Sequence, residues 1–181
     1  MHKKIIILAA GVPHKGLEPS LVMSVNGQTV LDWQLSVFKA SASNVQLVLG
    51  YESSVLNDLQ SRFKIVLNKK WNETGSAHSL LQADLSDTNE LWVSYGDILY
   101  HEQTISKMDC IDSPIVIAWD SLWRTRYLGR EYESTLDSEK VIANERHVQR
   151  LGTDVPDLWA SGEFVGLVKI SGSALENLRS I

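Results

Sequence analysis

A chain of 181 residues, 44% hydrophobic and 22% charged, is not disordered, collagen-like or stapled by disulfides. At this length a chain buries roughly 70% of the surface its unfolded form exposes, enough for a core without metal or disulfide support. Seventeen Lys and Arg against 22 Asp and Glu give a formal net charge of -5. That balance argues against a general nucleic-acid or anionic-membrane binder and still allows a small anionic substrate.

Met1–Lys4 followed by the apolar run Ile5–Ala10 copies the first two regions of a secretory signal, but the run is short and no small-residue cleavage pattern follows. Lys4–Ala10 reads instead as a strand covered on both faces, ending at the glycine-bounded loop Gly11–Gly16. Val30–Ala40 is expected to be a helix, entered past Gly27. Val45–Leu49 reads as a strand, Ser53–Phe63 as an amphipathic helix starting from a serine cap, and Lys64–Asn68 as a strand. A helix over Ser76–Leu85 follows, then buried strands over Leu91–Asp97 and Pro114–Asp120, each ending on aspartate. Ser121–Glu139 reads as an irregular excursion, Val141–Leu151 as a hairpin turning near Asn144, Phe164–Ile170 as a strand and Ser173–Ile181 as a helix. This rhythm predicts a single α/β domain over residues 1–181, a doubly wound, Rossmann-like, mixed and mostly parallel sheet with helices on both faces. Such sheets bind ligands at the carboxyl ends of their strands. No stretch approaches the roughly 20 apolar residues of a membrane-spanning helix. Cys110 is the one cysteine, so no intrachain disulfide forms and the cytoplasm is the expected compartment.

Three segments carry candidate chemistry. Gly11 and Gly16 have the spacing of a phosphate-binding P-loop, but Leu17-Glu18 stand where that motif needs lysine and then serine or threonine. The turn offers backbone N–H groups and the cation Lys15 for a phosphate, and serves equally as an ordinary strand exit. In Ser94-Tyr95-Gly96-Asp97 the aspartate stands just beyond a strand, placed either to hold Mg²⁺ through hard carboxylate oxygen or to cap the following turn. Thr74-Gly75-Ser76 brings hydroxyls and N–H groups to a helix start, for a nucleotide or simply as a cap.

Taken in order, Leu8-Ala9-Ala10-Gly11, Pro19 with Leu21, Val25-Asn26-Gly27 before Val30-Leu31-Asp32-Trp33, Asn68 with Thr74 and Ser79-Leu80, and Tyr95-Gly96-Asp97 resemble the nucleotidyltransferase (sugar-nucleotide pyrophosphorylase-like) family over almost the whole chain. Ser94–Leu99, Trp123–Arg126 and Gly162–Leu167 resemble most the small cytidylyltransferases of phosphonate and phosphocholine metabolism, including those fused to phosphoenolpyruvate mutase. The resemblance implies transfer of a nucleotidyl group, CMP from CTP being favoured, to a small phosphonate or phosphate monoester with release of pyrophosphate. It further implies that Leu8, Ala9, Ala10 and Gly11 line the nucleotide, that Thr74, Gly75 and Ser76 stand near its base, and that Lys15 offsets triphosphate charge. Asp97 would hold Mg²⁺, while Tyr95, Arg124, Arg126 and Glu163 would face the acceptor. Trp123–Arg126 reads equally as a solvated, cation-rich loop. A sugar-1-phosphate acceptor and a non-catalytic nucleotide-binding domain are the alternative readings, and a homo-oligomer is allowed. The pattern departs from the family in three ways, the first two being that Val12-Pro13-His14-Lys15 replaces an arginine-bearing loop and that Ser20 follows Pro19 where lysine is common. The family's second metal-binding aspartate has no counterpart after Asp157, so the chain is expected to be incomplete at its C-terminus.

Overall fold

The computed structural model describes residues 3–13, 18–129 and 135–181. Lys15, expected at the triphosphate, lies outside the described residues, as does Gly16. Two compact units emerge, one comprising Met1–Val116 with Leu167–Ile181 and the other Ile117–Gly166.

In chain order the first unit contains β1 (Lys3–Ala9), β2 (Ser24–Val25), β3 (Gln28–Thr29), α1 (Val30–Phe38), β4 (Val45–Leu49), β5 (Lys64–Leu67), α2 (Ser76–Leu81), β6 (Glu90–Tyr95) and α3 (Glu102–Asp109). Its sheet runs β5, β4, β1, β6, these four pairing in parallel. Leu167–Ser171 then pairs antiparallel with β6, which makes the sheet mixed and mostly parallel as expected. Ile5–Leu8 and all of β4 are buried, the signature of a sheet covered on both faces. On one face Ile6, Leu8, Val48, Leu91 and Val93 pack with Leu175 and Leu178. On the other, Phe38 of α1 meets the fully buried Trp92 edge to face at 5.5 Å.

The second unit holds the end of β7 (Ile115–Asp120), α4 (Trp123–Arg126), the hairpin β8 (Lys140–Asn144) and β9 (His147–Gly152), and the first half of β10 (Gly162–Ser171). The hairpin turns through Glu145, at a φ of 53°, beside the expected Asn144. Trp123, Val155 and Ala160 form its small core, with Tyr127 and Ile142 against them. The chain continues into α5 (Gly172–Arg179) in the first unit.

Several expectations change in detail. Ser53–Phe63 is not an amphipathic α-helix but a 3-10 helix over Ser53–Ser61, entered from Glu52 in the left-handed conformation without a side-chain cap. Its buried Leu56 and Leu59 stand three apart, the spacing that stacks on one side of a three-residue turn. Gly27 does more than punctuate a helix entry, since Asn26 and Gly27, both at positive φ, form the two-residue loop of the β2–β3 hairpin. Thr29 then caps α1, its hydroxyl accepting from the Asp32 N–H at 3.1 Å. The unexpected α3 carries only two buried apolar residues, Ile105 and Met108, and is capped by His101, an uncommon choice.

Candidate functional site

The parallel register aligns Leu8 with Tyr95 and Ala9 with Leu49, so β1, β4 and β6 end together. A cleft of about 290 Å³ opens at those carboxyl ends. Leu8, Ala9, Ala10 and Gly11 line it with Thr74, Gly75, Ser76, Tyr95 and Asp97, so one cavity collects these nine expected site residues. Trp71, Ser79, Pro13 and Pro19 complete much of the wall. Gly96 is needed for the close approach of β6 to β1: its N–H donates to the Leu8 carbonyl at 2.8 Å, and a Cβ there would stand 2.7 Å from the Ala9 Cβ.

Asp97 is exposed on the turn that follows β6. Sequence reading did not single out the side chain that fixes this turn. Gln34 of α1, only 1% exposed, donates its amide to the carbonyls of Tyr95 and Ile98, both at 2.8 Å, and accepts from the Ser94 hydroxyl at 3.3 Å. An internal glutamine on the apolar face of a helix was the available signal. Among the described lining residues Asp97 is the single carboxylate. Mg²⁺ commonly takes one or two carboxylates and completes its shell with water and phosphate oxygen, so one exposed aspartate fits that ion. Among the described residues no three His, Cys, Asp or Glu converge on a cage that would hold a metal by protein ligands alone.

The opposite wall is set by Asn68, 1% exposed at the end of β5. Its amide nitrogen donates to the Thr74 and Ser79 hydroxyls, both at 3.0 Å, while its oxygen accepts from the Lys70 N–H at 3.0 Å. Thr74 in turn donates to the Lys70 carbonyl at 2.7 Å, closing the loop on which Trp71 stands. Tyr95, expected at the acceptor, uses its hydroxyl to donate to Ser76 at 3.0 Å and so joins the residues assigned to the nucleotide. His78 is half-buried, with Gln82 at 3.4 Å.

In the second unit Arg126 and Glu163 come together. The Arg126 guanidinium lies 2.9 Å from Asp120 and 2.7 Å from Glu163, and the Tyr127 hydroxyl donates to the other Glu163 oxygen at 2.6 Å. Asp120 also accepts from the Leu122 N–H at 2.8 Å, so this second strand-ending aspartate caps a turn and holds an arginine. Arg124 donates to the Asp157 carbonyl and covers the Trp123 ring at 4.8 Å.

No family model matches the chain. Its sequence is 22% identical over 182 residues to the CTP:phosphoglutamine cytidylyltransferase of Campylobacter jejuni, a match spanning 92% of this chain and 72% of that protein. Its fold superposes on the inositol-1-phosphate CTP transferase of T. maritima with a TM-score of 0.69 at 20% identity, covering 100% of this chain and 75% of that one. This is the nucleotidyltransferase fold. The CTP:phosphocholine cytidylyltransferase of Streptococcus pneumoniae shares it, with a TM-score of 0.64 at 15% identity over 99% of this chain and 75% of that one. The nucleotidyltransferase resemblance carried by the motifs is thereby borne out. Among the described residues no helix is long and apolar enough to cross a membrane.

Proposed function

We propose that the chain transfers CMP from CTP to a small acceptor bearing a phosphate or phosphonate group, releasing pyrophosphate. One observation carries the reading. The backbone of Leu8–Gly11, the Thr74–Ser76 segment and Asp97, distant in sequence, line one cleft at the strand ends of a fold shared with cytidylyltransferases.

An acceptor oxygen forms a bond to the α-phosphorus while the bond from that phosphorus to the bridging oxygen breaks, the electron pair leaving with pyrophosphate. Two anions must meet, so positioning and charge neutralisation dominate the catalysis. The small residues Ala9, Ala10 and Gly11 let the nucleotide approach the backbone closely. Because Tyr95 donates to Ser76, the Ser76 hydroxyl hydrogen is left to serve the nucleotide. Asp97 would hold Mg²⁺, which supplies positive charge beside the phosphates. Lys15 adds a cation from the loop after β1. Glu163 and Arg126 act as one unit toward the acceptor, with Arg124 beside them in sequence, because Arg126 is already engaged by Asp120 and Glu163. Cytoplasmic residence accords with a nucleoside triphosphate donor and with the free Cys110.

Pyrophosphate release from CTP and Mg²⁺ against a panel of phosphomonoesters, phosphonates and sugar 1-phosphates tests the reading. Turnover with members of the first two classes is expected. Absence of CTP binding by calorimetry, or binding without pyrophosphate release across the panel, would overturn it.

A further inference from the structure

Most of the cleft wall consists of small side chains, and Trp71 is its largest member. Three restraints hold that indole in place. Its backbone belongs to the loop pinned by Asn68 and Thr74, with the Glu73 N–H donating to the Lys70 carbonyl at 3.0 Å. Its root is wedged against the end of β4, where a Cβ on Gly50 would stand 2.6 Å from the Trp71 Cβ and 2.6 Å from the Ala10 carbonyl oxygen. Its ring meets Tyr51 edge to face at 5.4 Å. Tyr51 is itself anchored, its N–H donating to the Ala10 carbonyl at 2.9 Å.

An aromatic residue on a free loop yields to whatever enters, whereas one held by backbone, floor and neighbouring ring is a fixed boundary. The cavity is also small. Its volume of about 290 Å³ falls at the bottom of the roughly 300–1,000 Å³ typical of small-molecule sites, so the space taken by an indole weighs on what can enter beside Thr74–Ser76.

We propose that Trp71 is the specificity-determining residue of the nucleotide site, a rigid wall that admits a single-ring pyrimidine base and excludes a purine. The idea rests on the nucleotidyltransferase reading of the same cleft. A Trp71→Phe substitution keeps an aromatic face but gives back the space of one ring, and Trp71→Ala removes the wall.

The test is calorimetric titration of wild type, W71F and W71A with CTP and with ATP, each with Mg²⁺. Wild type is expected to bind CTP at least tenfold more tightly than ATP. The ratio of ATP to CTP affinity should rise in W71F and rise again in W71A, by tenfold or more overall, through a gain in ATP binding. A ratio within threefold of wild type in both variants, with CTP still bound, would overturn the role of Trp71 while leaving the nucleotidyltransferase reading intact. Failure of wild type to bind either nucleotide would overturn both.

Discussion

Asn68→Asp changes an amide to a carboxylate without altering shape, and the bonding directions around residue 68 make it a severe change. The Asn68 nitrogen donates to two hydroxyls at 3.0 Å, and Thr74 already spends its hydrogen on the Lys70 carbonyl at 2.7 Å. A carboxylate has no hydrogen to offer either oxygen. One oxygen still accepts from the Lys70 N–H, but the oxygen that replaces the nitrogen must stay unpaired at a residue only 1% exposed, or draw the Ser79 hydrogen from its 3.5 Å bond to the Gly75 carbonyl or the Thr74 hydrogen away from the loop. Two lost hydrogen bonds at about 1 kcal/mol each, plus part of the cost of burying a charge, give a destabilisation of about 2–4 kcal/mol. At roughly 2–4 °C per kcal/mol for a chain of this size, Tm should fall by roughly 4–16 °C. Burial raises the folded-state pKa of the new acid above its unfolded value of about 3.9. Between those two values the folded state binds more protons, so stability falls as pH rises and the deficit is largest at neutral pH. Thermal melts at pH 7 and pH 5, with KM for CTP measured at pH 7, check this. The expected result is a deficit that shrinks at pH 5 and a KM at least tenfold higher. A pH-independent Tm with unchanged KM would refute the assigned bonding directions.

Asp97→Ala should abolish pyrophosphate release while moving Tm by less than about 2 °C, because the side chain is exposed; retained turnover would remove Asp97 from the chemistry. Gln34→Leu should lower kcat and raise the Mg²⁺ concentration for half-maximal rate, since it frees the carbonyls on either side of Asp97; an unchanged Mg²⁺ dependence would refute the positioning role. Asp84 accepts from Lys64 at 2.6 Å and from the Ser86 hydroxyl at 2.6 Å, and these partners hold its pKa well below the usual carboxylate range. Its contribution is therefore present above about pH 4 and lost as pH falls further, so Asp84→Asn should cost Tm at pH 7 and less at pH 3, and equal losses would refute the linkage. Arg126→Ala should raise KM for the acceptor and leave KM for CTP unchanged, and the reverse split would move that cluster away from the acceptor.

Much of the fold was legible because the strands announce themselves. Ile5–Leu8 is a continuous apolar run and Val45–Leu49 is one broken only by Gln46, the short β-branched and leucine-rich pattern that a strand covered on both faces needs. The motifs at the ends of those strands were legible for the same reason: a parallel sheet brings its carboxyl ends together, so Leu8–Gly11 and Asp97 had to meet. What escaped is what depends on distant partners. α3 has just two buried apolar residues and a histidine cap, too little periodicity to register. Gln34 looks like any helix residue until the β6 turn arrives above it. The bond from the Tyr95 hydroxyl to Ser76 at 3.0 Å escaped too, because no sequence rule brings those two residues together.

The charge of the cleft follows from the same division. Its described wall is made of backbone, small and aliphatic residues and two aromatic rings, with Asp97 as the single formally charged side chain among them. A triphosphate approaching that wall meets neutral donors and one repelling carboxylate, so affinity must come from cations introduced beside it. On this reading Asp97 gains its value by turning that repulsion into the attraction of a divalent ion, and Lys15, a few residues past β1 in sequence, by adding positive charge. On the same reading, a described wall with so little fixed charge suits a transferase, because it neither traps pyrophosphate after the α-phosphorus has been transferred nor binds substrate more tightly than the transition state.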